Sequence, residues 1–311
     1  MTRRVAPRAS CGAAALASLL ALAGAPAHAG SLVVRDGDDN GWTVNEDPQA
    51  DASDFVLRHL VHGAQPDERF GRNGQTTFTL AAGNDAPASV RVDARHRIWM
   101  VGASVASNQP QPVVARFQAD GSTDPKWGVQ GKLQLMPAGT AVKPNDLLPL
   151  ADGSVLVAGE TAGVATPHAV VFHLAANGAL DRAFGNGGMW LRPGDAESSA
   201  ATSLAASSQG LVAVAVAVRG ARPGAELWQL TDVAPALLQR QPLGAADDGE
   251  DLRAEWATDR WALASGGGPT GIVPAALLTN RAPAAVAPAA SADPGQGGFS
   301  PFLSEAASAQ A

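Results

Sequence analysis

The residues whose types and spacing could do chemistry are few, and the most ordered set of them opens the chain's first strand pair. Asp36-Gly37-Asp38-Asp39-Asn40-Gly41 fits Asp-x-Asp-x-Asn-Gly, the start of a calcium loop in which alternate side-chain oxygens converge on a hard cation and the glycine permits a sharp turn. In that reading Asp36, Asp38, Asn40 and Asp47 supply side-chain oxygens and Trp42 its backbone carbonyl. The fit stops there: position twelve is Asp47 where Glu is usual, position eight is the polar Thr43, and no helices flank the loop. A plain Asp/Asn/Gly turn between Leu32-Val33-Val34 and Trp42-Thr43-Val44 accounts for the same residues and is the favoured reading, with calcium kept as the one cofactor candidate.

The other candidates are weaker. His59-x-x-His62 needs helical geometry or a tight turn to converge on a metal, so it reads as strand-end residues and not as a zinc site. The run Asp247-Asp248-Gly249-Glu250-Asp251 could hold a carboxylate pair, but a charge run in a loop is ordinarily solvated. No Gly-x-Ser-x-Gly elbow, phosphate loop or His-Glu-x-x-His is present, so no catalytic residue is assigned. The chain has no Tyr, and its single cysteine, Cys11, lies upstream of an apolar run. A net charge of -7 argues against binding nucleic acid through phosphate contacts.

The elements that would position such residues appear when the chain is aligned with itself. Asp67-Glu68-Arg69-Phe70-Gly71-Arg72-Asn73-Gly74 matches Asp124-Pro125-Lys126-Trp127-Gly128-Val129-Gln130-Gly131 and Asp181-Arg182-Ala183-Phe184-Gly185-Asn186-Gly187-Gly188, at 127 − 70 = 57 and 184 − 127 = 57 residues. A second block keeps the interval: Ile98 to Gly102, Val155 to Gly159 and Val212 to Val216. His59 stands where later copies have Arg116 and His173. A residue type that recurs in every copy is scaffold first, so Phe70, Trp127 and Phe184 are expected in the core, with glycines behind them at angles closed to other residues.

One period contains four short strands, at Lys132 to Met136, Asp146 to Leu150, Ser154 to Gly159 and Ala169 to Leu174, with no amphipathic helix between them. Asp152-Gly153 predicts a two-residue type I′ hairpin, with Arg95-His96 and Gln209-Gly210 as its counterparts. The third strand of each copy is almost wholly apolar, as expected of a strand covered on both faces. The predicted fold class is all-β, a β-propeller-like array of four-stranded blades, about four to five units, irregular towards the last.

The run Asn177-Gly178-Ala179-Leu180-Asp181-Arg182-Ala183-Phe184-Gly185-Asn186-Gly187-Gly188, with the Asp-Gly hairpin and Val-Ala-Gly strand before it, resembles the delta-60 repeat of exported bacterial proteins. The resemblance covers about Phe55 to Leu230 and implies a propeller-like fold and export; it brings no established activity. Between Asp232 and Leu243 the Phe-Gly-x-x-Gly element is lost. Thr258 to Gly266 still tracks Ala151 to Gly159, with seven residues fewer than two full periods. Ser31 to Arg35 and Phe55 to Leu60 read as two further strands, placed beside the last blade to complete its sheet.

Residues 1–29 read as a signal peptide: Arg3, Arg4 and Arg8 precede the apolar run Ala13 to Ala25, and Ala27-His28-Ala29 gives a small-x-small cleavage site. Residues 30–280 form the repeat domain and residues 281–311 an Ala/Pro-rich flexible tail. Removing three Arg takes the charge from -7 to -10, because residues 1–29 hold no Asp or Glu. No later segment reaches the ~20 apolar residues of a membrane span. The expectation is an exported, periplasmic or extracellular, noncatalytic binding or structural module whose partner is an unknown protein or glycan ligand. The alternative is a hydrolase or lyase acting on polysaccharide with loop carboxylates.

Overall fold

The structure is a computed structural model, and it describes residues 31–35, 40–46, 54–62, 65–80, 84–106, 109–135, 140–193, 197–207, 209–231, 235–243, 249, 252–257, 260–266 and 272–273. The expected signal peptide, the tail and most of the acidic run from 247 to 251 lie outside the described residues.

Every described element is a strand, and the strands form five antiparallel sheets that follow one another along the chain. The first contains β1 (Ser31–Arg35), β2 (Gly41–Glu46), β3 (Asp54–Val61), the two-residue β4 (Gln65–Pro66) and β5 (Gln75–Thr79); β3 pairs with β2, β4 and β5. The second is β6 (Asn84–Val92), β7 (Ile98–Ala106), β8 (Gln109–Phe117) and β9 (Lys132–Gln134). The third is β10 (Ala141–Pro149), β11 (Val155–Ala162), β12 (Ala169–Leu174) and β13 (Met189–Leu191). The fourth is β14 (Ser198–Ala206), β15 (Val212–Arg219), β16 (Gly224–Leu230) and β17 (Ala236–Pro242), and the fifth β18 (Arg253–Ala257), β19 (Arg260–Gly266) and β20 (Ile272–Val273). The leading strands β1, β6, β10, β14 and β18 lie successively against one another, which makes each sheet a blade with its first strand innermost. This is the propeller-like, all-β arrangement the repeat implies.

The core sits between the blades, in four layers. Along β7, Ile98 and Met100 pack towards the first blade with Trp42, Phe55 and Phe117, while Trp99 and Val101 pack towards the third with Trp127 and Phe172. In β15 the split is by size, Val212, Val214, Val216 and Val218 on one face and Ala213, Ala215 and Ala217 on the other. Two buried faces explain the continuous apolar runs, because successive side chains on a strand point to opposite sides. Each large aliphatic or aromatic side chain buried this way contributes about 1.5–3 kcal/mol.

Three sequence expectations are corrected. Lys132 to Met136 is not the first strand of the third blade: β9 pairs with β8 of the second, as β5 pairs with β3 and β13 with β12. The Asp-x-x-Phe-Gly-x-x-Gly turn folds the chain back onto the strand it has just left, so each copy closes its blade. The hairpins β6–β7, β10–β11 and β14–β15 are not type I′, which needs positive φ at both central residues. Only His96 (φ 58°), Gly153 (φ 92°) and Gly210 (φ 81°) are left-handed. His96 N–H donates to Asp93 O and Asp93 N–H to Arg97 O, and the same pair of bonds recurs at Leu150–Ser154 and Ser207–Leu211. This is a three-residue loop, a type I turn closed by one left-handed residue. Finally, β1 and β3 do not serve as supplementary strands of the last sheet; with β2 and β5 they make a blade of their own.

Candidate functional site

The repeated turn is built as scaffold. Phe70, Trp127 and Phe184 are at most 4 % exposed, each in a different inter-blade layer. The glycine behind each has φ of 54–57°, and a Cβ there would stand 2.2–2.3 Å from the carbonyl oxygen of Gln75, Lys132 or Met189. The motif aspartate has two fixed tasks. Its Oδ1 accepts the backbone N–H two residues on, at Arg69, Lys126 and Ala183. Its Oδ2 holds the basic residue eight positions upstream: His59–Asp67 at 3.0 Å, Arg116–Asp124 at 2.8 Å and His173–Asp181 at 3.0 Å. The Arg69 N–H, together with the His59 ring, keeps the Asp67 carboxyl below its ordinary range despite some burial. His59 stacks on Trp42 at 4.4 Å, and the buried Arg116 guanidinium lies over the Trp99 and Trp127 rings. These partners use the same repeat position three times, a signal visible in the sequence as the alignment of His59, Arg116 and His173.

A pocket of about 370 Å³ opens at the end of the blades where the innermost strands begin, between the second, third and fourth blades. Its origin is a β-bulge at one repeat position, between Pro87 and Ser89, Pro144 and Asp146, and Ala201 and Ser203. The extra residue of a bulge is re-aimed out of the ladder. Here it turns towards the next blade: Asn145 Nδ2 donates to Ala201 O at 3.0 Å, and Thr202 Oγ1 to Leu252 O at 2.7 Å. Ala86, Pro87, Ala88, Ala103 and Pro144 supply the small walls. The charged lining is Glu160, held between Lys143 Nζ at 3.5 Å and Arg219 Nη1 at 3.2 Å. Such a wall can receive polar and anionic groups, and it has one carboxylate, already shared by two cations.

Below the bulges, Asp146 is buried and fully engaged. Its carboxylate accepts from Ser89 Oγ at 2.7 Å, from Arg91 Nη2 at 2.9 Å and from the Leu204 N–H at 2.9 Å. Another buried carboxylate, Glu226, is gripped by Arg192 through two bonds of 2.7 Å and by Trp228 Nε1 at 2.9 Å. Burial pushes the Glu226 carboxyl up, but the Arg192 and Trp228 bonds and the nearby Arg240 charge outweigh it and hold the group below its ordinary range. Both are inter-blade ties. The sequence did not single out either, because the residue type changes from copy to copy.

Of the calcium-loop residues, Asn40 and Trp42 are described and Asp36, Asp38 and Asp47 lie outside the described residues. Trp42 is a buried residue of β2, paired with Val34 on one side and His59 on the other. Among the described residues no group of three or more His, Cys, Asp or Glu converges as a metal site. His59 belongs to the Asp67 pair, and His62 is exposed with φ of 49°. No described helix is long and apolar enough to cross a membrane.

A family model described as a domain of unknown function (DUF5122) beta-propeller matches residues 98–126, from the start of β7 into the second Asp-x-x-Trp-Gly turn. The match is to a β-propeller and agrees with the propeller-like blades. No curated protein matches the chain. Among solved structures, similar chains include a protein of unknown function from Dyadobacter fermentans (10% identity, TM-score 0.48, covering 77% of this chain and 75% of that one). An ulvan lyase of a polysaccharide lyase family is similar at 11% identity and TM-score 0.48, over 76% of this chain and 61% of the lyase. An alpha-L-arabinofuranosidase from Clostridium thermocellum follows at 11% identity and TM-score 0.38, over 77% of this chain and 82% of that one.

Proposed function

We propose that this is an exported, noncatalytic β-propeller repeat protein of the delta-60 kind, acting as a binding or structural module for a protein or glycan ligand in the periplasm or outside the cell. In this reading residues 1–29 are removed as a signal peptide, residues 30–280 are the ligand-bearing domain and residues 281–311 a tail. The observation that carries the binding reading is the pocket at the bulged ends of β6, β10 and β14, walled by alanine and proline and charged by Lys143, Glu160 and Arg219. A hydrolase or lyase needs a general acid and a general base poised at the reacting bond. The pocket lining offers a single carboxylate, Glu160, and it is already paired with Lys143 and Arg219.

The experiment is a binding screen of the exported protein against glycan and protein panels, repeated with Lys143→Glu. Lys143 is 60% exposed, so the change should leave the fold intact. Ligands bound by wild type and lost by the variant support the pocket. A screen in which no bound ligand is weakened by Lys143→Glu contradicts it.

A further inference from the structure

A second concavity lies at the opposite end of the strands, where the first and second blades meet, and it shares no lining residue with the pocket above. It is an open groove of about 580 Å³. The turn of the second blade docks there on the first: Gly71 N–H donates to Asp120 O at 2.7 Å, and a Cβ on Gly121 would stand 2.9 Å from the Phe70 ring. The scaffold thus fixes the floor, and the side chains around it are free to differ.

They do differ. Arg69 and Arg72 occupy positions held by Lys126 and Val129 in the second copy and by Ala183 and Asn186 in the third. The repeat does not require arginine at either place. Both are exposed, and neither guanidinium has an ion-pair partner among the described residues. The remaining wall is hydroxyl and amide: Asn73, Gln75, Thr76, Thr77 and Ser122. The one carboxylate in the lining, Asp120, accepts the N–H and the hydroxyl of Ser122 through Oδ1, and the Ser122 hydroxyl bond is the larger cause holding its carboxyl low.

We propose that this groove binds an acidic oligosaccharide. Guanidinium groups take carboxylates in bidentate pairs, and the flanking hydroxyl and amide groups match the hydroxyl-rich face of a sugar chain. An acidic peptide would find the same two charges and is the competing occupant that the hexaglutamate arm of the test addresses. On a chain of net charge -7, two exposed arginines without an ion pair among the described residues, against the single carboxylate of Asp120, leave this groove with an excess of positive charge that favours an anion.

The test is calorimetric titration of the full exported chain with hexameric oligogalacturonate at low ionic strength. Wild type should bind, more weakly as salt is added. Arg69→Ala/Arg72→Ala should lose about tenfold or more in affinity, the scale of a charge-assisted pair, with an unchanged thermal midpoint. Neutral maltohexaose should bind no better than that double variant binds the uronate. Lys143→Glu should leave uronate binding intact, so that failure of the other pocket and failure of this groove are separable. The proposal is overturned by absence of oligogalacturonate binding, by full affinity in the double variant, by hexaglutamate binding as tightly as the uronate, or by loss confined to Lys143→Glu.

Discussion

Ser89 and Asp146 stand one 57-residue repeat apart and touch, the Ser89 hydroxyl donating to the Asp146 carboxylate at 2.7 Å in the buried space between two blades. The same position in the fourth blade is Ser203, whose hydroxyl accepts the Ala254 N–H of the fifth. This one repeat position therefore ties β6 to β10, β10 to β14 and β14 to β18.

Asp146 is the busiest of these ties, since Arg91 and the Leu204 N–H also depend on it. Asp146→Ala would leave a buried hydroxyl and a buried N–H without partners, at about 1–3 kcal/mol each. We expect a loss of about 3 kcal/mol by denaturant titration. A double-mutant cycle with Ser89→Ala should give a coupling energy of about 0.5–3 kcal/mol, as for residues in one network. Strict additivity would mean that the two residues do not act together.

Phe184→Ala should destabilise by about 3–5 kcal/mol, the usual cost of truncating a buried phenylalanine. Gly185→Val should do harm by a different route, because φ is +54° and its Cβ would lie 2.3 Å from Met189 O. Unchanged denaturant midpoints in both variants would reduce the repeated turn to surface decoration.

Acid should unfold the protein partly through Glu226. Its folded carboxyl is held below the ordinary value of 4.5, so the folded state binds fewer protons than the unfolded state. The stabilisation is present in full above that ordinary value and is lost as pH falls through the folded value. Glu226→Gln should flatten the acid limb of a plot of thermal midpoint against pH, and should cost about 3 kcal/mol near neutrality because the buried Arg192 keeps only its longer pair with Glu197, at 3.8 Å. An acid limb as steep as wild type in that variant would place the sensitivity elsewhere.

For the Asp36 to Gly41 loop the favoured reading is a hairpin turn, so melts in millimolar calcium and in chelator should coincide. A calcium loop would instead raise stability by about 2.7 kcal/mol at one hundred times the dissociation constant. That rise, absent in Asp38→Ala, would replace the turn with a metal site.

The repeat made much of this fold legible. Phe70, Trp127 and Phe184 share a position that self-alignment exposes, and all three are buried where blades meet. The phase of the blade was not legible, because a 57-residue period can be cut anywhere; only the pairing of β9 with β8 fixes the cut. Asp152-Gly153 pointed to a turn without giving its length, and the extra loop residue changes its type. His96 was readable as left-handed, since it stands where Gly153 and Gly210 stand in later copies. The inter-blade ties at Asp146 and Glu226 escaped notice for an opposite reason: pairs that differ between copies leave no repeated signal. At the pocket, Lys143, Glu160 and Arg219 come from three different strands, and the pairing of those strands decides that they meet.

The central claim, binding without catalysis, is tested most directly by incubating the protein with acidic and neutral polysaccharides and measuring polymer length, new reducing ends and unsaturated sugar ends. The expected result is bound polymer of unchanged length with no new ends of either kind. Chain shortening by wild type that Glu160→Gln abolishes would contradict the claim and make the pocket at the bulged strand ends an active site.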